Sequence, residues 1–192
     1  MKGDDYPVIA FKKQAEFEEF LSKNSEKVPG IWLKFARKGS GLESITGGEA
    51  LEVALCFGWI DGQAASFDET YYLNKYTPRG PRSLWSMRNV DIANRLIKEK
   101  RMRAGGLKKI EEAKKDGRWE RAYGGTADSK IPEDFLNELK KDAKAYEFFL
   151  TLKKADLFAI YFRLHTAVKP ETRERRKQAI LELLRLGKKI AG

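Results

Sequence analysis

Arginines, a tryptophan and neutral hydrogen-bond donors crowd together in the segment "TPRGPRSLWSMRN", residues 77–89. Its two prolines restrict the backbone, and its arginines offer planar guanidinium groups that suit phosphate or carboxylate. Trp85 adds a ring on which a nucleic-acid base or a guanidinium can stack. The same residues also suit an arginine–tryptophan stack that packs structural elements together. Ligand binding and packing are therefore both open interpretations of this loop.

A second candidate is the carboxylate in "GWIDG", residues 58–62. After the glycine that ends the preceding helix, a strand would put Trp59 and Asp61 on one face and Ile60 on the core face. Asp61 would then stay ionised and orient one of the loop arginines toward an anion. The predicted ligand-binding residues are Trp59, Asp61, Arg79, Ser83, Trp85, Ser86, Arg88 and Asn89.

The residue types that would carry catalysis or hold a metal are scarce. Cys56, the only cysteine, lies in an apolar helical stretch, where it behaves as a small hydrophobe with a raised pKa. His165, the only histidine, is over a hundred residues away. One cysteine and one histidine do not make the usual zinc site, and no Gly-x-Ser-x-Gly motif occurs. The sequence predicts no catalytic residue, no metal and no cofactor.

The glycine-rich segment "GSGLESITGG", residues 39–48, could hold phosphate before a helix. It lacks the lysine of a P-loop and the Gly-x-Gly-x-x-Gly spacing. Thr46 and Glu49 have the spacing of a capping box, and Glu49 would compete with an anion for the helix start. We interpret the segment as a turn and a helix cap.

The elements that must position these side chains change in type along the chain. Helical spacing occurs at residues 11–23 and 47–57, and alternation predicts strands at "GIWLKFAR", "WIDGQ" and "ETYYLNKYTPRG". "RAGG", residues 103–106, predicts a break between two further helices. After "YGGTADSK", residues 123–130, only helical patterns follow, and this polar segment is the linker candidate. We predict an α+β fold, with a small sheet and helices in a mixed N-terminal domain at residues 1–124 and an all-helical domain at residues 130–192.

Composition and charge limit the class of protein. Of the 192 residues, 42% are hydrophobic, and no apolar run reaches the length of a membrane span. The N-terminus lacks the apolar stretch of a secretory signal, so a cytoplasmic location is expected. The net charge is +10, and residues 71–103 carry nine Lys/Arg against Asp91 and Glu99. This excess favours an anionic partner, although a basic surface that only confers solubility has the same composition.

Four blocks of sequence, taken in order, resemble the YdeI/OmpD-associated family, which is named for bacteriocin protection. They are "SITGGEALEVALCFGWIDGQ", "YTPRGPRSLWSMRN", "RMRAGGLKKIEEAKKDGRWERAY" and "VKPETRERR", so the resemblance spans nearly the whole chain. It carries over to Trp59, Asp61, Gly62, Pro78, Arg79, Ser83, Trp85, Ser86, Asn89, Met102, Gly106, Gly117, Trp119, Thr172, Arg173 and Arg176. One departure is Lys100, where relatives often have glycine.

The resemblance implies a role in protection against bacteriocins or cationic antimicrobial peptides, and in stress, without an established catalytic mechanism. We therefore expect a non-enzymatic cytoplasmic protection or stress protein that binds an anionic small molecule or an acidic protein partner at the Arg/Trp loop. The first alternative is a module that binds nucleic acid through this loop. The second is an enzyme acting on an anionic metabolite, with Asp61 as its general base.

Overall fold

The computed structural model describes residues 5–127 and 129–190. Its elements follow the order β1, α1, β2, α2, β3, β4 and then six helices. The strands are β1 (Val8–Ala10), β2 (Ile31–Ala36), β3 (Trp59–Ser66) and β4 (Tyr71–Pro78). The helices are α1 (Gln14–Asn24), α2 (Gly47–Cys56), α3 (Met87–Lys98), α4 (Ala104–Lys115), α5 (Glu133–Leu139), α6 (Ala143–Leu150), α7 (Lys154–His165) and α8 (Pro170–Arg185). The α+β fold class is confirmed.

The four strands form one mixed sheet in the order β1-β2-β4-β3. β1 runs parallel to β2, whereas β4 is antiparallel to both of its neighbours. The register between β3 and β4 shifts between Asp61 and Ala64, which marks a β-bulge. β1 was not predicted, because three residues are too few to show a period.

Side chains alternate along β2 as the sequence predicts. Ile31, Leu33 and Phe35 are buried, while the residues between them are only half-buried. The buried face packs against α1 and α2 in a core of Phe17, Leu21, Ile31, Leu33, Phe35, Ile45, Ala50, Val53, Ala54, Trp59 and Tyr76. This core holds one face of the sheet against α1 and α2. The opposite face of the sheet is not covered by these two helices.

Local signals set both ends of α2. Thr46 accepts a hydrogen bond from the Glu49 backbone N–H, and the Glu49 carboxylate accepts from the Thr46 backbone N–H, so the predicted capping box is confirmed. Gly58 follows the helix with a φ of +76°, the left-handed conformation expected of it. Its carbonyl accepts the Arg79 backbone N–H at 2.9 Å, which ties the helix end to the end of β4.

The predicted break between two helices lies at residues 99–103, slightly earlier than "RAGG", because α4 begins at Ala104 and contains both glycines. A Cβ at Gly106 would lie 2.5 Å from the Cys56 carbonyl oxygen, and one at Gly105 would lie 2.8 Å from the Phe57 carbonyl oxygen. The glycines are therefore needed for the close approach of α4 to the end of α2. The packing that this approach allows outweighs the low helix propensity of glycine.

The chain divides into two compact units. The first runs to Trp85 and resumes over Asn89–Arg121, and the second takes Ser86–Arg88 and the chain from Ala122 onward. The second unit is helical, with a core of Phe135, Leu139, Ala145, Ile160, Leu164, Ile180, Leu181, Leu184 and Ile190. Asp128, within the predicted linker, lies outside the described residues. A domain boundary at residues 124–130 stays a prediction.

Over residues 5–127 and 129–190, none of the helices combines the length and the apolar character that crossing a membrane requires.

Candidate functional site

The Trp59 side chain lies in the core. Its side chain is 1% exposed, and its Nε1 donates to the Ser25 carbonyl at 3.1 Å. Ile60, in contrast, is only half-buried. The prediction that Ile60 faces the core and Trp59 faces away from it is wrong, because the helices cover the Trp59 face of the sheet. Sequence alternation gives the two faces but does not say which one the helices cover.

Asp61 shares that face and is exposed, opposite Tyr76 on β4. Burial, with the Asp61 carboxylate as the next cause, raises the pKa of the Tyr76 hydroxyl well above its ordinary value. Arg79 follows β4 three residues past Tyr76, so strand alternation turns its side chain to the opposite face. Among the described residues of its own unit, Asp61 forms no ion pair with an arginine. A ligand role for Asp61 stays a prediction.

Arg79, Trp85 and Trp119 form a buried cluster in which the guanidinium lies over the Trp85 ring and the two indoles meet edge to face; it is called here the Arg79–Trp85–Trp119 stack. The Arg79 Cζ lies 3.6 Å from the Trp85 ring centroid, and the two indole centroids are 4.7 Å apart. Arg79 is 3% exposed and Trp85 is 2% exposed. Arg79 Nη1 also donates to the Leu84 carbonyl at 3.0 Å. In this conformation the Arg79 guanidinium is therefore not accessible to an anion in solvent.

Ser83 takes part in the structure of the same loop. Its Oγ accepts the Gly80 backbone N–H at 3.1 Å, and its carbonyl accepts Arg118 Nη1 at 2.8 Å. Asp116 holds Arg118 from the other side with a 2.8 Å ion pair. These contacts anchor the loop to the segment that follows α4, so contacts within the protein hold the loop conformation without a ligand.

The remaining predicted site residues are divided between the two units. Ser86 and Arg88 belong to the second unit, whereas Asn89 belongs to the first. Ser86 forms an isolated parallel bridge with Tyr123, and the Met87 N–H donates to the Tyr123 carbonyl at 2.8 Å. Arg88 is exposed and Asn89 is half-buried. Their ligand roles stay predictions.

Several cations of residues 71–103 are already neutralised. Glu52 on α2 pairs with both Arg95 and Arg101, the latter at 2.9 Å. Glu18 on α1 pairs with Arg103 at 2.7 Å. The charge excess counted along this segment therefore overstates the positive field that it presents to a partner.

An open cleft lies beside the strand that begins at Trp59. Its volume is about 530 Å³, and it is bordered by residues 25–29, by residues 57–59, by Pro78 and by the first turns of α4. Phe57 and Pro78 contribute apolar surface, and Lys27, Lys108 and Lys109 contribute cations. We call this the lysine cleft. Its shape and lining suit an organic anion, which has an apolar body and a charged end.

The charges of the lysine cleft are unequal. Lys109 pairs with Glu112 at 2.9 Å, and Glu26 adds an acid to the lining. Lys27 and Lys108 are exposed and form no ion pair with another described residue. These two ammonium groups are therefore the cations that can meet a ligand without first giving up an acidic partner.

The lysine cleft was not found in the sequence, because its lysines come from two segments about eighty positions apart. The sequence feature most closely related to the cleft is "GGLKK" in the third block. There, glycines that let α4 approach α2 are followed by Lys108 and Lys109. Nothing in the sequence linked that block to Lys27.

Cys56 is buried and unpaired, as predicted. Burial raises the pKa of its thiol to about 11, so the nucleophilic thiolate is rare at neutral pH. No cluster of three or more metal-ligating side chains occurs within the described ranges.

The described geometry defines an α+β protein with a helical C-terminal unit and a basic cleft. Residues 9–109 match the family model described as "Domain of unknown function (DUF8412)", and the chain belongs to that family. Residues 128–187 match the model described as "Bacteriocin-protection, YdeI or OmpD-Associated". The resemblance to the YdeI/OmpD-associated family is confirmed for residues 128–187, but not over nearly the whole chain. Searches of curated proteins and of solved structures found no match.

Proposed function

We propose that this chain is a bacteriocin-protection-type protein that acts without catalysis by binding an organic anion or an acidic side chain of a partner in the lysine cleft. The protective role is supported by the family match of residues 128–187, whose description names bacteriocin protection. The observation that carries the binding site is the pair of exposed lysines, Lys27 and Lys108, on the rim of a cleft with apolar walls.

Residues of three of the four sequence blocks border the cleft. Gly58 and Trp59 come from the first block, Pro78 from the second, and Gly105, Lys108 and Lys109 from the third. These blocks precede residues 128–187, so the cleft lies in the part of the chain before the bacteriocin-protection match. The Arg79–Trp85–Trp119 stack then has a supporting role. It holds the end of β4 in place, and the Arg79 backbone N–H bonds to Gly58 at the cleft. The Arg/Trp loop thus supports the cleft that we propose as the site.

We also propose a cytoplasmic location and a part in stress tolerance. The location is supported by a core that contains one buried, unpaired cysteine and uses no disulfide among the described residues.

The test is survival of a bacterial host that lacks the gene and is challenged with polymyxin B or with a pore-forming bacteriocin. Expression of the wild-type chain should raise the minimal inhibitory concentration, and the variant Lys27→Gln/Lys108→Gln should raise it less. The matched control is Lys140→Gln/Lys144→Gln, which removes two exposed lysines of the second unit. Equal protection by all three chains would show that the lysine cleft is not the binding site, and no protection by the wild type would contradict the proposed function.

A further inference from the structure

The sheet presents a second surface, on the side away from the core. Because Ile31, Leu33 and Phe35 face the core, Trp32 and Lys34 point the opposite way. β4 places Lys75 opposite Trp32 and Leu73 opposite Lys34, and Tyr71 lies further along the same face. We call the surface formed by Trp32, Lys34, Phe67, Tyr71 and Lys75 the aromatic–lysine face.

Rings and cations alternate at short range on this face. The Lys34 Nζ lies 4.1 Å from the Tyr71 ring centroid and 4.4 Å from that of Phe67. The Lys75 Nζ lies 5.2 Å from the Tyr6 ring centroid. Each ammonium thus rests on an aromatic surface.

The outer part of the face is accessible, and its charge is positive. Phe67 is 47% exposed, and Lys34 and Tyr71 are half-buried, whereas Leu73, opposite Lys34, is 2% exposed. Arg37 adds a cation at the same end, where its Nη2 donates to Ser66 Oγ at 2.9 Å. The turn between β3 and β4 carries two acids. Asp68 accepts hydrogen bonds from the backbone N–H groups of residues 70 and 71, which ties it to its own turn, and Glu69 is exposed.

We infer that the aromatic–lysine face binds single-stranded nucleic acid, with Phe67 and Tyr71 stacking bases and Lys34 and Lys75 contacting phosphates. Stacked rings and cations on an open sheet are the combination that holds unpaired strands without reading sequence. A duplex keeps its bases stacked on each other, and the Asp and Glu side chains of an acidic peptide have no ring for Phe67 to stack on. When a base stacks on a ring, the ammonium that rests there moves to the phosphate. This surface is separate from the lysine cleft.

The test is fluorescence anisotropy with the full chain and fluorescein-labelled oligonucleotides, dT15 and rU15, over a salt series. The wild-type chain should bind both oligonucleotides. The one that binds with the higher affinity shows whether DNA or RNA is the preferred ligand. Phe67→Ala should weaken binding about fivefold or more, because one stacking ring is lost. Lys34→Gln should lower the slope of log affinity against log salt by about 0.7, the value for one phosphate contact on a single strand.

Three variants control for folding and for general charge. Phe67→Trp keeps a stacking ring and should retain binding. Leu150→Ala, at a residue that is 65% exposed in the second unit, and Lys140→Gln should leave binding unchanged. No binding by the wild type would overturn the inference. Equal competition by duplex DNA, or full binding by Phe67→Ala together with weakened binding by Lys34→Gln, would also overturn it, since each indicates attraction to any polyanion.

Discussion

Lys100 occupies a backbone conformation that favours glycine. Its φ is +57°, and it is the only non-glycine residue with a positive φ in the part of the chain that the structure describes. It follows α3, where its N–H donates to the Ile97 carbonyl and the Arg101 N–H donates to the Leu96 carbonyl, both at 3.0 Å. These two bonds are those of a Schellman motif with Lys100 at C′.

Replacement of Lys100 by glycine should therefore stabilise the protein. The left-handed conformation costs a residue with a Cβ about 1–2 kcal/mol. Glycine avoids that cost but loses about 0.5–1 kcal/mol more backbone entropy on folding. Lys100 is exposed and forms no ion pair with a described residue, so little else is lost. We expect a net gain of about 0.5–1 kcal/mol in the free energy of unfolding.

Urea denaturation followed by circular dichroism would measure this change in Lys100→Gly. The matched control is Lys98→Gly, which removes the same charge from the last residue of α3 and should destabilise by about 0.5–1 kcal/mol. Opposite signs for the two variants support the reasoning. A loss of stability in Lys100→Gly similar to that in Lys98→Gly would refute it.

Three further predictions concern the core, the linker and acid stability. Cys56→Ala should shift the free energy of unfolding by about 1–2 kcal/mol at most and leave the host's survival unchanged, and the native thiol should react slowly with a thiol reagent. Limited proteolysis should cut near residues 124–130 and yield two protected fragments; cleavage in other loops alone would count against that boundary. The Arg173 guanidinium lowers the pKa of the Asp134 carboxyl, so this ion pair stabilises the fold above the unfolded-state pKa of about 4. Asp134→Asn lacks this stabilisation, and its acid denaturation should therefore begin at higher pH than that of wild type.

The sequence predicts those parts of the fold that short-range chemistry decides. The spacing of Thr46 and Glu49 is enough to locate a helix start, and Gly58 is enough to locate its end. The alternation of Ile31 and Leu33 likewise reports a strand with one buried face, because a period of two residues is a property of the strand itself.

The candidate site depends on contacts that no local pattern contains. Whether Trp59 or Ile60 faces the core depends on which side of the sheet the helices pack. The composition of the Arg/Trp loop suits a ligand and a stack equally, and only the 3.6 Å contact between Arg79 and Trp85 shows the stack. The lysine cleft exists because α4 approaches α2 through its glycines, which brings distant lysines together.

The most direct test of anion binding in the lysine cleft is a two-dimensional 15N–1H NMR titration of the full chain with phenyl phosphate. We expect the shifted amides to cluster at Gly58, Trp59 and Gly105, and Lys27→Gln/Lys108→Gln to weaken binding about fivefold for each lysine, or about 1 kcal/mol. Shifts centred on the Arg79–Trp85–Trp119 stack, or an affinity that the double variant does not change, would contradict it.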